Sequence, residues 1–305
     1  MTGLFRWRRR ASVCVAASLV AVTAVCATSA SRGIESVRRT GKYVALGDSA
    51  AAAPLVPDAA GPPGCFKSTN DYPAVLARRI GAASFVDVSC SGATAADITD
   101  REQSTSGGKV PRQIDAVTAD TELITITIGG NDVGLASSAA QCRRNSLAQP
   151  PCFADFVPGG TDRFSAAIRR QIPLWEAMIG AVRAKAPQAR IVLVGYATYI
   201  RPGGCFGQQP INPKDADYFQ AKVDEIDDQQ RTLAAALKID FFDTRPVSVG
   251  HDMCAAPEDR YIEGFELSHL AAPLHPNALG AGAVGSALAG ELNISDGPAI
   301  SGRSS

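Results

Sequence analysis

A serine at the end of an apolar run, a late histidine and two glycine-containing turns are the residues of this chain whose types and spacing suit chemistry. Tyr43-Val44-Ala45-Leu46 leads into Gly47-Asp48-Ser49, and small residues follow from Ala50 to Ala53. Gly47 permits a tight turn, and the alanines leave room for a substrate and for a helical turn whose N–H groups face it. Taken alone, the tripeptide is an ordinary turn. Two other segments give it company: Thr127-Ile128 is followed by Gly129-Gly130-Asn131-Asp132, and Ser89-Cys90-Ser91 by Gly92-Ala93-Thr94. The N–H groups of Ser49 and Gly92 and the amide of Asn131 could then converge as an oxyanion hole, in which each donor contributes on the order of 3 kcal/mol to the transition state. A serine hydroxyl also needs a base, and the chain has three histidines, His251, His269 and His275. His275, in Leu274-His275-Pro276-Asn277, precedes the last helix on a loop that can reach back over a sheet. His251 is the rival, although nearby Cys254 suggests a loop tied down by a disulfide, and His269 reads as a surface histidine. The chemistry these groups could perform is acyl transfer through a serine nucleophile.

The elements that must position them alternate. Tyr43 to Gly47, Ser84 to Ser89, Leu123 to Ile128, Arg190 to Gly195 and Ile239 to Phe242 read as strands, and their nearly continuous apolar character is that of a parallel sheet covered on both faces. Helices are predicted over Asp71 to Ile80, Pro111 to Thr118, Asp162 to Ala186, Pro213 to Leu237 and Asn277 to Leu292. Asn70 or Asp71 can cap the first, Pro187 ends the third, and Gly280 weakens the last. In an open α/β sheet reacting groups collect beyond the carboxyl ends of the strands, which is where Ser49, Gly92 and Asn131 fall.

The chain has 305 residues, 46% hydrophobic and 20% charged, enough for one sizeable domain. Basic and acidic residues balance at 30 each, so no overall field points to nucleic acid. Arg6, Arg8, Arg9 and Arg10 precede an apolar run from Ala11 to Ala27 and small residues through Ala30, the pattern of an export signal over residues 1–30. An uncleaved membrane anchor is the competing reading. After it we expect a stub over 31–40, a catalytic domain over 41–292 and a Ser/Gly/Pro tail over 293–305, with no membrane span left once the signal is removed. Two of the 8 cysteines, Cys14 and Cys26, lie in the leader. The other six, Cys65, Cys90, Cys142, Cys152, Cys205 and Cys254, suggest three disulfides in an exported protein, with pairing that spacing alone does not choose. No C-x-x-C pair or Cys/His cluster has metal-ligand spacing.

Gly47-Asp48-Ser49, Gly92, Gly129-Gly130-Asn131-Asp132 and His275-Pro276-Asn277, in that order, resemble the blocks of the GDSL or SGNH hydrolases. The resemblance implies a flavodoxin-like three-layer α/β/α sandwich with a central parallel sheet of strand order 2-1-3-4-5. It also implies hydrolysis of acyl esters through an acyl-enzyme, with no cofactor, and it gives Ser49, Gly92, Asn131 and His275 the roles read above. More narrowly, the long spacing, the cysteines and Gly250-His251-Asp252 are similar to a secreted actinobacterial esterase and lipase branch. That branch implies Cys65 paired to Cys90, Cys142 to Cys152 and Cys205 to Cys254; separately, we expect a monomer.

One position departs from the wider family, which places an aspartate three residues before the histidine. Here that residue is Ala272, and no carboxylate lies between Ser268 and Pro276. The branch implies a Ser–His dyad in which the Ala272 carbonyl orients His275, while Asp243 and Asp252 stay candidates for a third member. The absence of a G-x-S-x-G elbow removes the α/β-hydrolase superfamily as a template. The segment Val133 to Asp162, with Phe153, Phe156 and nearby Phe164, reads equally as an acyl-pocket wall or as a surface insertion. The same residues would serve a carbohydrate O-deacetylase or an acyltransferase, and a non-catalytic binding protein would leave them without purpose.

Overall fold

A computed structural model of the protein describes residues 41–294, so the expected leader, the stub and the tail beyond Ile294 lie outside the described residues. Five parallel strands form the centre: β1 (Lys42–Gly47), β2 (Ser84–Asp87), β3 (Thr121–Thr127), β4 (Arg190–Val194) and β5 (Asp240–Phe242). Their order is 2-1-3-4-5, with Tyr43 beside Phe85 and Leu123, and Leu193 beside Phe241. The flanking helices are α1 (Ser49–Ala52), α2 (Tyr72–Arg79), α3 (Ala95–Thr99), α4 (Leu135–Gln141), α5 (Arg163–Lys185), α6 (Pro213–Leu237), α7 (Arg245–Ser248) and α8 (Ala278–Ile294).

Alternation along each strand sorts its side chains between two cores. Val44, Leu46, Ile124, Ile126, Ile191 and Leu193 point to one face, where α3, α5 and α6 supply Ile98, Trp175, Ile179 and Ile226. Tyr43, Ala45, Leu123, Val192 and Val194 point to the other, where α2 and α8 supply Leu76 and Leu288. Burial on both faces is why the strands read as apolar runs. The two threonines of β3 that face α2 are satisfied by tyrosines: Tyr43 shares a hydrogen bond with Thr125 at 2.7 Å and Tyr72 with Thr127 at 2.8 Å.

The helix ends follow their capping residues. Asp71 accepts from Ala74 N–H at 2.8 Å, Asp162 from Phe164 and Ser165, and Asn212 from Lys214. The span Pro111–Thr118 differs from expectation, forming a single 3-10 turn at Gln113–Ala116. The Gln113 side chain is committed to the backbone of Gly47, which anchors this connection as a brace for β1. Strand β2 is bounded at Asp87 rather than Ser89; beyond it the Asp87 carboxylate accepts the Ser89 N–H at 2.8 Å, while Val88 and Cys90 N–H still bond the Ala45 and Gly47 carbonyls at 3.0 Å. Gly280 does more than weaken its helix: a Cβ there would lie 2.5 Å from the Tyr261 carbonyl, and one at Gly285 would lie 2.7 Å from the Tyr72 carbonyl, so these glycines let α8 press on its neighbours. Among the described residues no helix is long and apolar enough to cross a membrane.

Three disulfides pair the cysteines in sequence order, Cys65–Cys90, Cys142–Cys152 and Cys205–Cys254. Trp175, 1% exposed, is the largest side chain in the core beneath α5 and also touches the turn after β3. Trp175→Ala is expected to lower stability by about 3–5 kcal/mol, read as a lower urea midpoint with disulfides intact.

Candidate active site

The end of β1 is held from two sides before Ser49 is reached. Gln113 behaves as a short additional strand, accepting the Gly47 N–H at 2.7 Å and donating to its carbonyl at 2.8 Å. Asp48 N–H continues the ladder to the Thr127 carbonyl at 2.9 Å. The Asp48 carboxyl, 2% exposed, then caps α1 by accepting the Ala50 N–H at 2.8 Å. Ser49 is the first residue of that helical turn, and its own N–H has no protein acceptor among the described residues.

The turn after β2 is pinned by the Cys65–Cys90 bond, by Ser91 N–H on the Cys65 carbonyl at 3.1 Å and by Gln103 on the Ser91 carbonyl at 2.8 Å. Gly92 follows with φ +82°, a conformation that glycine adopts without strain, and a Cβ there would meet the Gln103 amide nitrogen at an ordinary 3.8 Å. The turn after β3 is crowded instead: at Gly129, φ +126°, a Cβ would meet Gln230 at 2.9 Å and Trp175 at 3.1 Å. Asn131 donates one amide N–H to the Ala93 carbonyl at 3.0 Å, which fixes its plane and leaves the second N–H for another acceptor. Asp132 ties the same turn to α3 by accepting the Ala95 N–H at 2.9 Å.

His275 arrives on a loop braced by a buried carboxylate. Glu263 N–H bonds the His275 carbonyl at 2.9 Å, and the fully buried Glu263 side chain takes donors from Ser268 N–H at 2.7 Å and Asn277 at 2.8 Å. Burial pushes its pKa up, but the Ser268, Asn277 and His269 hydrogen bonds outweigh that and hold it below the ordinary value. His275 Nε2 lies 2.7 Å from Ser49 Oγ. Its Nδ1 lies 2.8 Å from the Pro273 carbonyl. Since a carbonyl only accepts, Nδ1 carries the proton and Nε2 is the acceptor for the serine hydroxyl. The orienting carbonyl therefore belongs to Pro273 and not to Ala272: Leu274 adopts φ +61°, which swings the Pro273 carbonyl under the ring, while Ala272 N–H is bonded to Pro54. Burial lowers the His275 pKa, opposed by the Pro273 hydrogen bond.

The other candidates are engaged elsewhere. His251 stacks on Tyr261 with centroids 4.0 Å apart, and His269 pairs with Glu263 at 2.8 Å. Asp252 pairs with Arg201 at 3.1 Å, and Asp243 with Arg245 at 2.9 Å. Phe156 and Phe164 pack on Phe219 of α6 as core, and of the Val133–Asp162 segment it is Leu135, Ala136 and Ala139 in α4 that face the site.

Tyr196, unforeseen from sequence, joins two of the strand exits. Its buried hydroxyl donates to Asp48 Oδ2 at 2.5 Å and accepts the Gly130 N–H at 2.9 Å. It follows Gly195 directly after β4, so the strand-exit rule that singled out Ser49 reaches it too. Beside Ser49 and His275 opens a cavity of about 90 Å³, with walls that include Leu135, Ile211, Phe219, Ile226, Met253 and Leu274. Concave, mostly apolar, with a few polar groups at one end, it has the character of a small-molecule site.

Residues 45–283 match the GDSL-like lipase/acylhydrolase family. The chain is 36% identical over 248 residues to Lipase 2 of Streptomyces coelicolor, covering 78% of this chain and 81% of that protein. Its fold is similar to the crystal structures of phospholipase A1 from Streptomyces albidoflavus (TM-score 0.67, 25% identity) and of an extracellular lipase from Streptomyces rimosus (TM-score 0.65, 26% identity). Each of these superpositions covers 83% of this chain and 99% of the other. The protein thus belongs to the GDSL-like lipase/acylhydrolase family, and with it to the carboxylic ester hydrolases.

Burial pushes the Asp48 carboxyl from 3.8 up to about 7, against the Tyr196 and Ala50 hydrogen bonds. The folded state therefore holds this proton more tightly than the unfolded chain. The resulting stability is complete below about pH 4 and is lost as pH rises through about 7. Asp48→Asn is expected to remove about 4 kcal/mol of stability loss across that window, visible when urea midpoints of the two proteins are compared from pH 4 to 8.

Proposed function

We propose that the protein is a secreted serine esterase or lipase that uses Ser49 as nucleophile and His275 as general base. The observation that carries the reading is the 2.7 Å approach of His275 Nε2 to Ser49 Oγ at the mouth of a deep apolar cavity. His275 takes the hydroxyl proton as Oγ attacks the ester carbonyl, and the N–H groups of Ser49 and Gly92 with the Asn131 amide hold the oxyanion. The imidazolium then protonates the departing alcohol. Water, activated by the same ring, releases the acid. The pair works as a dyad, with the Pro273 carbonyl in place of a carboxylate; a carbonyl fixes tautomer and direction but stabilises the imidazolium less than a charge would.

The apolar walls of the cavity favour an acyl chain of several carbons over acetate, because an acetyl group would meet little of that apolar lining. Secretion follows from the signal pattern of residues 1–30 and from six cysteines all paired in the domain, a state that persists in oxidising compartments. With p-nitrophenyl esters from acetate to palmitate, wild type is expected to turn over and Ser49→Ala to lose activity by about 10⁴-fold or more. Equal activity of the two proteins would remove Ser49 from the mechanism. Because burial holds His275 below the 6.5 of a free imidazole, kcat/KM is expected to fall in acid with a midpoint below pH 6.5; a midpoint above 7 would contradict this.

A further inference from the structure

Two openings meet at Ser49. One is the deep apolar cavity and the other a shallower cleft of about 380 Å³; both include Ser49, Asn131, Ala136 and His275 in their walls. The cleft is lined further by Pro54, Leu55, Phe66, Ser91, Gly92 and Ala272. Among the described residues that line it, His275 is the one ionisable side chain.

Leu55 and Phe66 are 58% and 51% exposed, although each is large and apolar. Both also adopt left-handed backbone, with φ +65° and +54°, which is unfavourable for residues with branched or bulky side chains. Their loops are nonetheless firmly tied. The Cys65–Cys90 disulfide sits next to Phe66, and the Ala272 N–H bonds the Pro54 carbonyl at 2.8 Å, coupling the Leu55 loop to the histidine loop. Strained backbone held in place to project apolar side chains beside a reacting centre is a feature of binding sites.

The order of events in acyl transfer assigns the two openings. After Ser49 Oγ bonds the carbonyl carbon and the bond to the alcohol oxygen breaks, the alcohol leaves with the proton from His275 while the acyl group stays. Water then enters where the alcohol was. The group that stays belongs in the deep cavity, and the group that is exchanged belongs in the open cleft. We propose that the Leu55–Phe66 cleft binds the alcohol half of the substrate, and that this alcohol carries a hydrocarbon chain of its own, as in a diacyl ester, rather than being a sugar or a short alcohol. The proposal rests on the Ser49–His275 reading and adds the second half of the substrate to it.

The test holds the acyl group constant and varies the alcohol, using methyl, butyl and octyl hexanoate and hexanoyl glucose as dissolved monomers. Wild type is expected to show kcat/KM rising at least about tenfold from methyl to octyl, mostly through KM, with the glucose ester at or below methyl. In the double variant Leu55→Asn, Phe66→Asn, whose asparagines adopt the left-handed backbone readily, the octyl-to-methyl ratio is expected to fall to about 2 or less. A flat series in wild type, or an unchanged ratio in the variant, would overturn the proposal. A second readout needs no variant. Wild type acylated by p-nitrophenyl hexanoate, with its deep cavity occupied, should transfer the hexanoyl group to octanol in preference to equimolar methanol or glucose; preference for methanol or glucose would count against the cleft. Ser49→Ala run alongside separates the two failures, since residual activity there removes the nucleophile whereas a flat series with an inactive Ser49→Ala removes only the cleft.

Discussion

The site hangs on one buried hydroxyl. Tyr196 Oη lies between Asp48 and the Gly130 N–H, and through them it links the serine turn, the asparagine turn and the exit of β4. Each of these turns could settle elsewhere by a few tenths of an ångström without disturbing its strand. Sharing one oxygen removes that freedom, because Asp48 also caps the helical turn that begins at Ser49 and Gly130 precedes Asn131. Buried polar groups of this kind are expensive to leave unpaired, so the same bonds that satisfy Asp48 and Gly130 fix the distance between Ser49 and Asn131. The Gln113 clamp on Gly47 serves the same end from the other side of β1.

The sheet underneath is what makes such registration possible. Its strands are buried on both faces, and its polar interior residues, Thr125 and Thr127, are closed off by Tyr43 and Tyr72. Three turns at the carboxyl ends of adjacent strands therefore start from a stiff edge. The histidine loop does not, and it is secured instead by Glu263, a carboxylate that gathers Ser268, His269 and Asn277 and bonds the His275 carbonyl through its own N–H. Precision at this site thus has two sources, parallel strands for the Ser49 side and a buried anion for the His275 side.

Much of this was legible in the sequence because it depends on local rules. Continuous apolar runs gave the five strands, Asp71 and Asp162 marked helix starts, and the strand-exit rule gathered Ser49, Gly92 and Asn131 at one edge. What escaped depends on contacts between residues far apart in the chain. Gln113 looked like part of a helix, since nothing local shows that its amide will pair with a strand end 66 residues away. Tyr196 and Glu263 have no motif around them. The choice between the carbonyls of Ala272 and Pro273 turns on one left-handed residue, Leu274, a conformation that leucine rarely takes and no propensity foretells.

That carbonyl sets the chain apart from a serine hydrolase with a carboxylate behind its histidine. A carboxylate can be deleted by a single codon change or neutralised by acid; the oxygen under His275 belongs to the main chain, so replacing the Pro273 side chain leaves it in place and no proton removes its lone pairs at working pH. The His275 ring is therefore insulated from point substitution at its partner position. Its weakness is moved to the path of the backbone through Leu274, so that inheritance of function here follows the shape of a loop and not the identity of an acid.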